Sequence, residues 1–179
     1  MSPSIRWRIA IPYVALILVT MVGLLLYLTD LVRDAYLDTL EDQLEAEARL
    51  VGDVLDLHLA RESPGEVIAP LVEHYAEILE ARVTIIAPDG VVLGDSHADW
   101  MEMDNHLYRP EIQQALETGQ GSTIRYSRTV GYEMLYVAIP VMASGELVGI
   151  SRGSLPLNLI DENIAQLRQT MLAAAVVVG

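Results

Sequence analysis

The chain contains no cysteine and no lysine, and every one of its eleven basic side chains is arginine. Without cysteine there is no disulfide framework to mark the compartment, and a segment this long can bury a core without one. The missing lysine reads as genome composition rather than mechanism. No internal repeat and no low-complexity tract interrupts the sequence. Positive charge is scarce: 25 acidic residues give a formal net charge of −14. So acidic a surface argues against nucleic acid or anionic lipid as a partner, and no nucleic-acid partner is expected. The one G-x-S-x-G, Gly149 to Gly153, lies inside a predicted strand rather than at the strand-to-helix elbow that activates a serine, and there is no HxxxH or CxxC spacing to hold a metal. No catalysis, metal or cofactor is therefore expected within these residues.

Charge is also missing from one long stretch. Ile9 to Leu28 has no charged residue, close to the ~20 residues that cross a ~30 Å hydrocarbon core as a helix. Tyr13 and Tyr27 sit near its ends, and Pro12 falls in its first turn. A cleaved signal peptide is the competing reading, but its apolar region is usually ~7–15 residues and ends in a small-x-small site. Leu28 to Val32 offers none. Arg6 and Arg8 precede the stretch and acids follow it, so residues 1–8 are expected in the cytoplasm and residues 30–168 outside. Met171 to Gly179 is again apolar and reads as the first half of a second crossing, cut short. The expected location is the cytoplasmic (inner) membrane, with both flanks anchored in it.

Between the crossings, residues 30–60 predict a long helix with Leu37, Leu40, Leu44, Ala48, Val51 and Leu55 at three- and four-residue steps. Leu50, Val54, Leu57 and Leu59 add a second stripe, so this helix either covers a sheet with one wide face or spares a seam for a homodimer partner. Under the dimer reading, Leu40 and Leu44 meet the second copy. Ser63-Pro64-Gly65 ends this helix, and residues 66–81 predict another. Val83–Ala87 and Val91–Leu93 are short apolar runs around Pro88-Asp89-Gly90, a tight-turn sequence. A loop dense in polar and ring side chains then runs from His97 to Arg109, and Pro110 opens a helix that closes at Gly119. Three further runs, Ser122–Val130, Tyr132–Pro140 and Leu147–Leu155, are joined by short turns and predict an antiparallel meander. An exit helix is expected over residues 158–170. The sum is an α+β domain with a five-stranded antiparallel sheet, residues 82–157, and a long N-terminal helix.

Several short stretches resemble a known family. They are Pro88-Asp89-Gly90 with Asp95-Ser96, Asp104-Asn105-His106, Arg109-Pro110-Glu111, Ala115-Leu116, Arg125-Tyr126-Ser127, Leu135-Tyr136-Val137-Ala138 and Pro140. Together they resemble the extracytoplasmic single-Cache (PAS-like, PDC) sensor domain, in the version found in phosphate-regulon-type (PhoR-like) sensor histidine kinases. The resemblance implies a sensory input module of a membrane receptor, its output domain lying in further sequence. Such domains also feed chemoreceptors and diguanylate cyclases. A ligand-free module for protein interaction or dimerisation is the alternative in kind.

The resemblance also implies a ligand between the sheet face and the loop and helix that cross it. Residues placed to line such a pocket are Asp95, Asn105, His106, Arg109, Arg125, Ser127, Tyr136 and Arg152. Strand alternation independently puts Arg125 and Ser127 on one face, and Met134 with Tyr136 on one face of the next strand. The other reading of the same residues is a closed polar network that fastens loop to sheet and binds nothing. Arg109 precedes Pro110 where a capping side chain belongs, so the helix start is expected to take Asp104 or Asn105, or failing them an anion.

Overall fold

The computed structural model describes residues 5–59, 64–127 and 130–158. They fall in two units, residues 5–38 and residues 39–158. The crossing read over residues 9–28 and the helix read over residues 30–60 fall on one helix, α1 (Ile5–Leu59), with no break between them. Nothing in its sequence forces one: Pro12 stands near the start and no second proline or paired glycine follows. α1 is the one helix among the described residues long and apolar enough to cross a membrane, over Ile9–Val54, with a mean hydropathy of 2.6 where it is most apolar. The expected exit helix and the second crossing lie outside the described residues.

The second unit is a five-stranded antiparallel sheet with helices on both faces. Its other elements are α2 (Pro64–Leu79), β1 (Arg82–Ile86), β2 (Val92–Asp95), α3 (Pro110–Thr118), β3 (Gly121–Tyr126), β4 (Glu133–Ala143) and β5 (Glu146–Pro156). The strand order is β2-β1-β5-β4-β3, so the predicted hairpin and meander join through β1 and β5 at the centre. Ser144 and Gly145 both take positive φ, 52° and 87°, the geometry a two-residue hairpin turn demands. The strand expected over Ser122–Val130 stops at Tyr126. Ser127 N–H donates to Tyr132 O at 2.9 Å in register with the strand's last pair, and Gly131 N–H donates to Ser127 O at 2.8 Å, which turns the chain there.

Period-two alternation gives the sheet two unlike faces. One carries Val83 and Ile85, which pack with Val51 of α1 and Ile68 and Val72 of α2. Leu44 lies on this face, fully buried against Gly153, where a side chain at position 153 would collide with it. Leu44 is thus core, not a dimer contact; its stripe points at the sheet, while Leu50 on the other side of α1 is half exposed. The opposite face packs Ile86, Ala138 and Ile150 against Ile112 and Ala115 of α3. Gly121 sits so close to the α3 backbone at Glu111 that no Cβ fits between them. That close approach draws α3 down onto β3 and brings the start of the helix over the middle of the sheet.

Candidate functional site

The α3 face of the sheet turns polar beyond its apolar patch, and the strand register shows how. Ala138, Arg152, Thr84 and Asp95 stand side by side across β4, β5, β1 and β2. The next row on that face is Thr123, Tyr136, Ser154 and Arg82. Arg125 lies two residues along β3 from Thr123 and so shares its face. Three arginines therefore converge on one sheet surface from three strands.

Two buried carboxylates answer them. Glu111, fully buried in the first turn of α3, accepts from Arg125 Nη2 at 3.0 Å and from Arg152 Nη1 at 3.3 Å. Asp95 accepts from Arg82 Nε at 3.1 Å and from Thr84 Oγ1 at 2.7 Å, and Arg152 Nη2 donates to Thr84 Oγ1 at 3.0 Å. The result is one continuous chain of polar contacts, Arg125–Glu111–Arg152–Thr84–Asp95–Arg82. Burial alone raises both carboxyls. Around Asp95 the charge of Arg82 and bonds from Thr84 and His97 outweigh it, and around Glu111 the bond from Arg125 and the charge of Arg152 do so. Both acids end below the ordinary carboxylate range. Tyr136 lies beneath the guanidinium of Arg125, 3.9 Å from its ring centre, and Arg152 stands 5.1 Å from the same ring.

The loop from His97 to Arg109 roofs this surface. Asp95 Oδ1 accepts the N–H groups of His97 and Ala98, and Asp99 caps the short 3-10 turn Trp100–Glu102. Farther on, the loop hangs from the β1–β2 hairpin. Asn105 Nδ2 donates to Asp89 O, and His106 N–H donates to Gly90 O, each at 2.8 Å. Gly90, at φ 88°, has Asn105 and Leu107 pressed onto the place a Cβ would occupy. The Pro88-Asp89-Gly90 turn and the Asp104-Asn105-His106 loop are therefore two halves of one contact.

Between roof and sheet lies a cavity of about 630 Å³. Arg82, Arg109, Arg125 and Arg152 all line it, with Ser127, Tyr136 and His106. Ala98, Met103 and Tyr126 supply apolar surface, and the exposed acids Asp99, Glu102 and Asp104 stand at its mouth. Six of the eight residues singled out from sequence line this cavity. Asp95 does not: it lies behind Arg82 as that arginine's counter-ion. Asn105 does not either, being exposed and spent on the hairpin turn. Nor does Asp104 or Asn105 cap α3: Ile112 N–H and Gln113 N–H donate to Arg109 O, each at 3.0 Å, and Asn105 Oδ1 accepts from Leu107 N–H instead. Glu111 instead places its own carboxylate in that first turn, where the helix dipole favours negative charge.

Two donors remain unanswered. Arg152 is 2% exposed, yet its Nε has no hydrogen-bond partner. Arg109 is the one cavity arginine whose side chain has no acid or hydrogen-bond partner among the described residues. Arg82, Thr84 and Glu111 escaped notice in the sequence. Arg82 and Thr84 share the parity that puts them on one strand face, which was the available signal.

His106 is 7% exposed and its ring Nδ1 stands 2.6 Å from Asp104 O. Burial, with the charge of Arg152 and a smaller effect of Arg109, pushes its pKa down to about 4, against weaker opposing effects of Asp104 O and Glu111. An unfolded histidine titrates near 6.5, so between the two values the unfolded chain binds a proton that the folded chain refuses. Stability present in full above about pH 6.5 is lost as pH falls toward 4. Denaturant unfolding should show a loss of at most about 2 kcal/mol between pH 7.5 and 5 from this group. His106→Gln is expected to flatten that slope while sparing the further loss below the carboxylate range.

Residues 34–152 match the Single Cache-like family, two-thirds of the sequence, and the chain belongs to it. Single Cache-like domains are extracytoplasmic sensing parts of membrane receptors. No curated protein matches the sequence. Among solved structures the fold is similar to the sensor domain of the Vibrio cholerae histidine kinase DctB, at 17% identity and TM-score 0.63 over 80% of this chain and 58% of that one. It is also similar to the ligand-binding domain of the Campylobacter jejuni chemoreceptor Tlp3 in complex with 4-methylisoleucine (17%, TM-score 0.59, 84% and 61%). The Escherichia coli DcuS sensor domain is similar over 70% of this chain and 97% of its own length, at 16% identity and TM-score 0.53. The chain thus spans less than two-thirds of the first two, and the likeness is one of fold.

Proposed function

We propose that residues 39–158 are the sensing module of a membrane receptor and that their signal is a small carboxylate bound in the arginine-walled cavity. The observation that carries this is the excess of guanidinium over buried carboxylate. Four arginines meet two buried acids, and Arg109 is left with no acid partner among the described residues. A carboxylate offers acceptor atoms in the planar arrangement that a guanidinium fork fits. Tyr136, Ala98 and Met103 provide carbon surface that an inorganic oxyanion has no use for, which favours an organic acid over phosphate. The network through Glu111 then fastens α3 to the sheet, while Arg109 serves the solute.

The output we propose is a two-component histidine kinase. Its phosphate-response character rests on the motif resemblance alone, and a chemoreceptor fits the same fold. Pairing of two copies along α1 belongs to this reading, with exposed Leu50 rather than buried Leu44 at the seam. The test is thermal unfolding of the intact chain in lipid nanodiscs with two- to six-carbon carboxylates and with inorganic phosphate. A bound carboxylate at a hundred times its Kd adds about 2.7 kcal/mol of stability. Stabilisation by phosphate alone, or by nothing in the series, would contradict the proposal.

A further inference from the structure

A carbonyl oxygen only accepts hydrogen bonds, so the contact of His106 Nδ1 with Asp104 O at 2.6 Å requires the proton on Nδ1. Burial beside Arg152 keeps the ring neutral near pH 7, so Nε2 carries a lone pair and no proton. That nitrogen has no hydrogen-bond partner among the described residues, and His106 lines the cavity. The surrounding chemistry is the reverse: arginine can only donate, and four arginines line the same space. The cavity therefore offers several donors for an anion and one obligate ring acceptor.

A plain carboxylate is acceptor-only when ionised. It satisfies the guanidinium groups and leaves the Nε2 lone pair either empty or facing another lone pair. Leaving a buried acceptor unmet weakens binding by about tenfold or more. Resting on the carboxylate reading above, we infer that the solute carries a hydrogen-bond donor beside its carboxylate, a hydroxyl or an ammonium, and that His106 selects it through Nε2. The class is the 2-hydroxy and 2-amino carboxylates. Asp99, Glu102 and Asp104 at the exposed mouth favour the ammonium of the two, because the buried arginines lie deeper and the acids nearer solvent. His106 is then the residue that determines specificity, while the arginines provide the attraction common to all carboxylates.

The experiment uses matched trios on the intact chain in nanodiscs: propionate, lactate and alanine, then 4-methylpentanoate, 2-hydroxy-4-methylpentanoate and leucine. Titration calorimetry should find the better donor-bearing member of a trio about tenfold tighter than its plain acid, or more. The 2-amino member binding more tightly identifies the ammonium; the 2-hydroxy member, the hydroxyl. In His106→Leu the preference should fall below about threefold with carboxylate binding retained. His106→Gln, whose side-chain oxygen can accept, should recover part of it, and that variant decides if His106→Leu does not fold. Equal binding across a trio in the native protein overturns the role of His106 and leaves the carboxylate reading standing. No binding by any member of either trio overturns both.

Discussion

Glu111→Ala is expected to destabilise the protein by about 3–5 kcal/mol, the range for removing one partner of a buried ion pair. The side chain is fully buried and one of its oxygens serves both Arg125 and Arg152. Arg125 is about one-fifth exposed and can turn toward water once released. Arg152 cannot: it is 2% exposed, held between strands, and would keep only its bond to Thr84. The dominant loss is thus the stranded charge of Arg152, not the missing contact. Replacing Glu111 and Arg152 together by apolar residues of similar size should recover much of the loss, because no buried charge is then left alone. Chemical denaturation of the single and double variants measures both. A Glu111→Ala protein within about 1 kcal/mol of the native one would mean that the network does not bear on stability.

How far the sequence carried the fold follows from where information is local. Helix periodicity placed Leu44, Ala48 and Val51 on one face, and the turn residues around Gly90, Gly131 and Gly145 marked the strand ends. Each of those signals is complete within a few residues. The destination of the Leu44 stripe was not legible, since a sheet and a second helix both accept leucine. Only the bare backbone at Gly153 reveals that the sheet takes it.

The site divides in the same way. His106, Arg109, Arg125, Ser127, Tyr136 and Arg152 were singled out through the family resemblance, with strand alternation independently supporting Arg125, Ser127 and Tyr136. Asn105 looked like a ligand for the same reason, but a partner sixteen residues away, Asp89 O, occupies it. Glu111 was passed over because a glutamate in the first turn of a helix is ordinary. What makes it central is its position over Arg125 and Arg152, and the Gly121 contact sets that through packing alone. The two readings of the polar residues, fastener and pocket, turn on which arginine has an acid. Pairing of that kind exists only once the sheet is assembled.

Arg109 is where the two readings separate, and its removal should have the largest effect on binding. The side chain has no hydrogen bond or ion pair among the described residues, and its N–H bonds to His106 O whatever the side chain is. Arg109→Ala is therefore expected to change the stability of the ligand-free protein by no more than about 0.5 kcal/mol. A charge-assisted bond to a carboxylate is worth about 1.5–3 kcal/mol, so the same change should weaken binding roughly ten- to hundredfold. The deciding measurement is thermal unfolding of native and Arg109→Ala chains, in nanodiscs, with and without the most stabilising carboxylate of the series. The carboxylate pocket predicts equal ligand-free midpoints and a ligand-induced rise that is lost in the variant. An undiminished rise in Arg109→Ala, or a variant that unfolds much earlier with no carboxylate present, would contradict it.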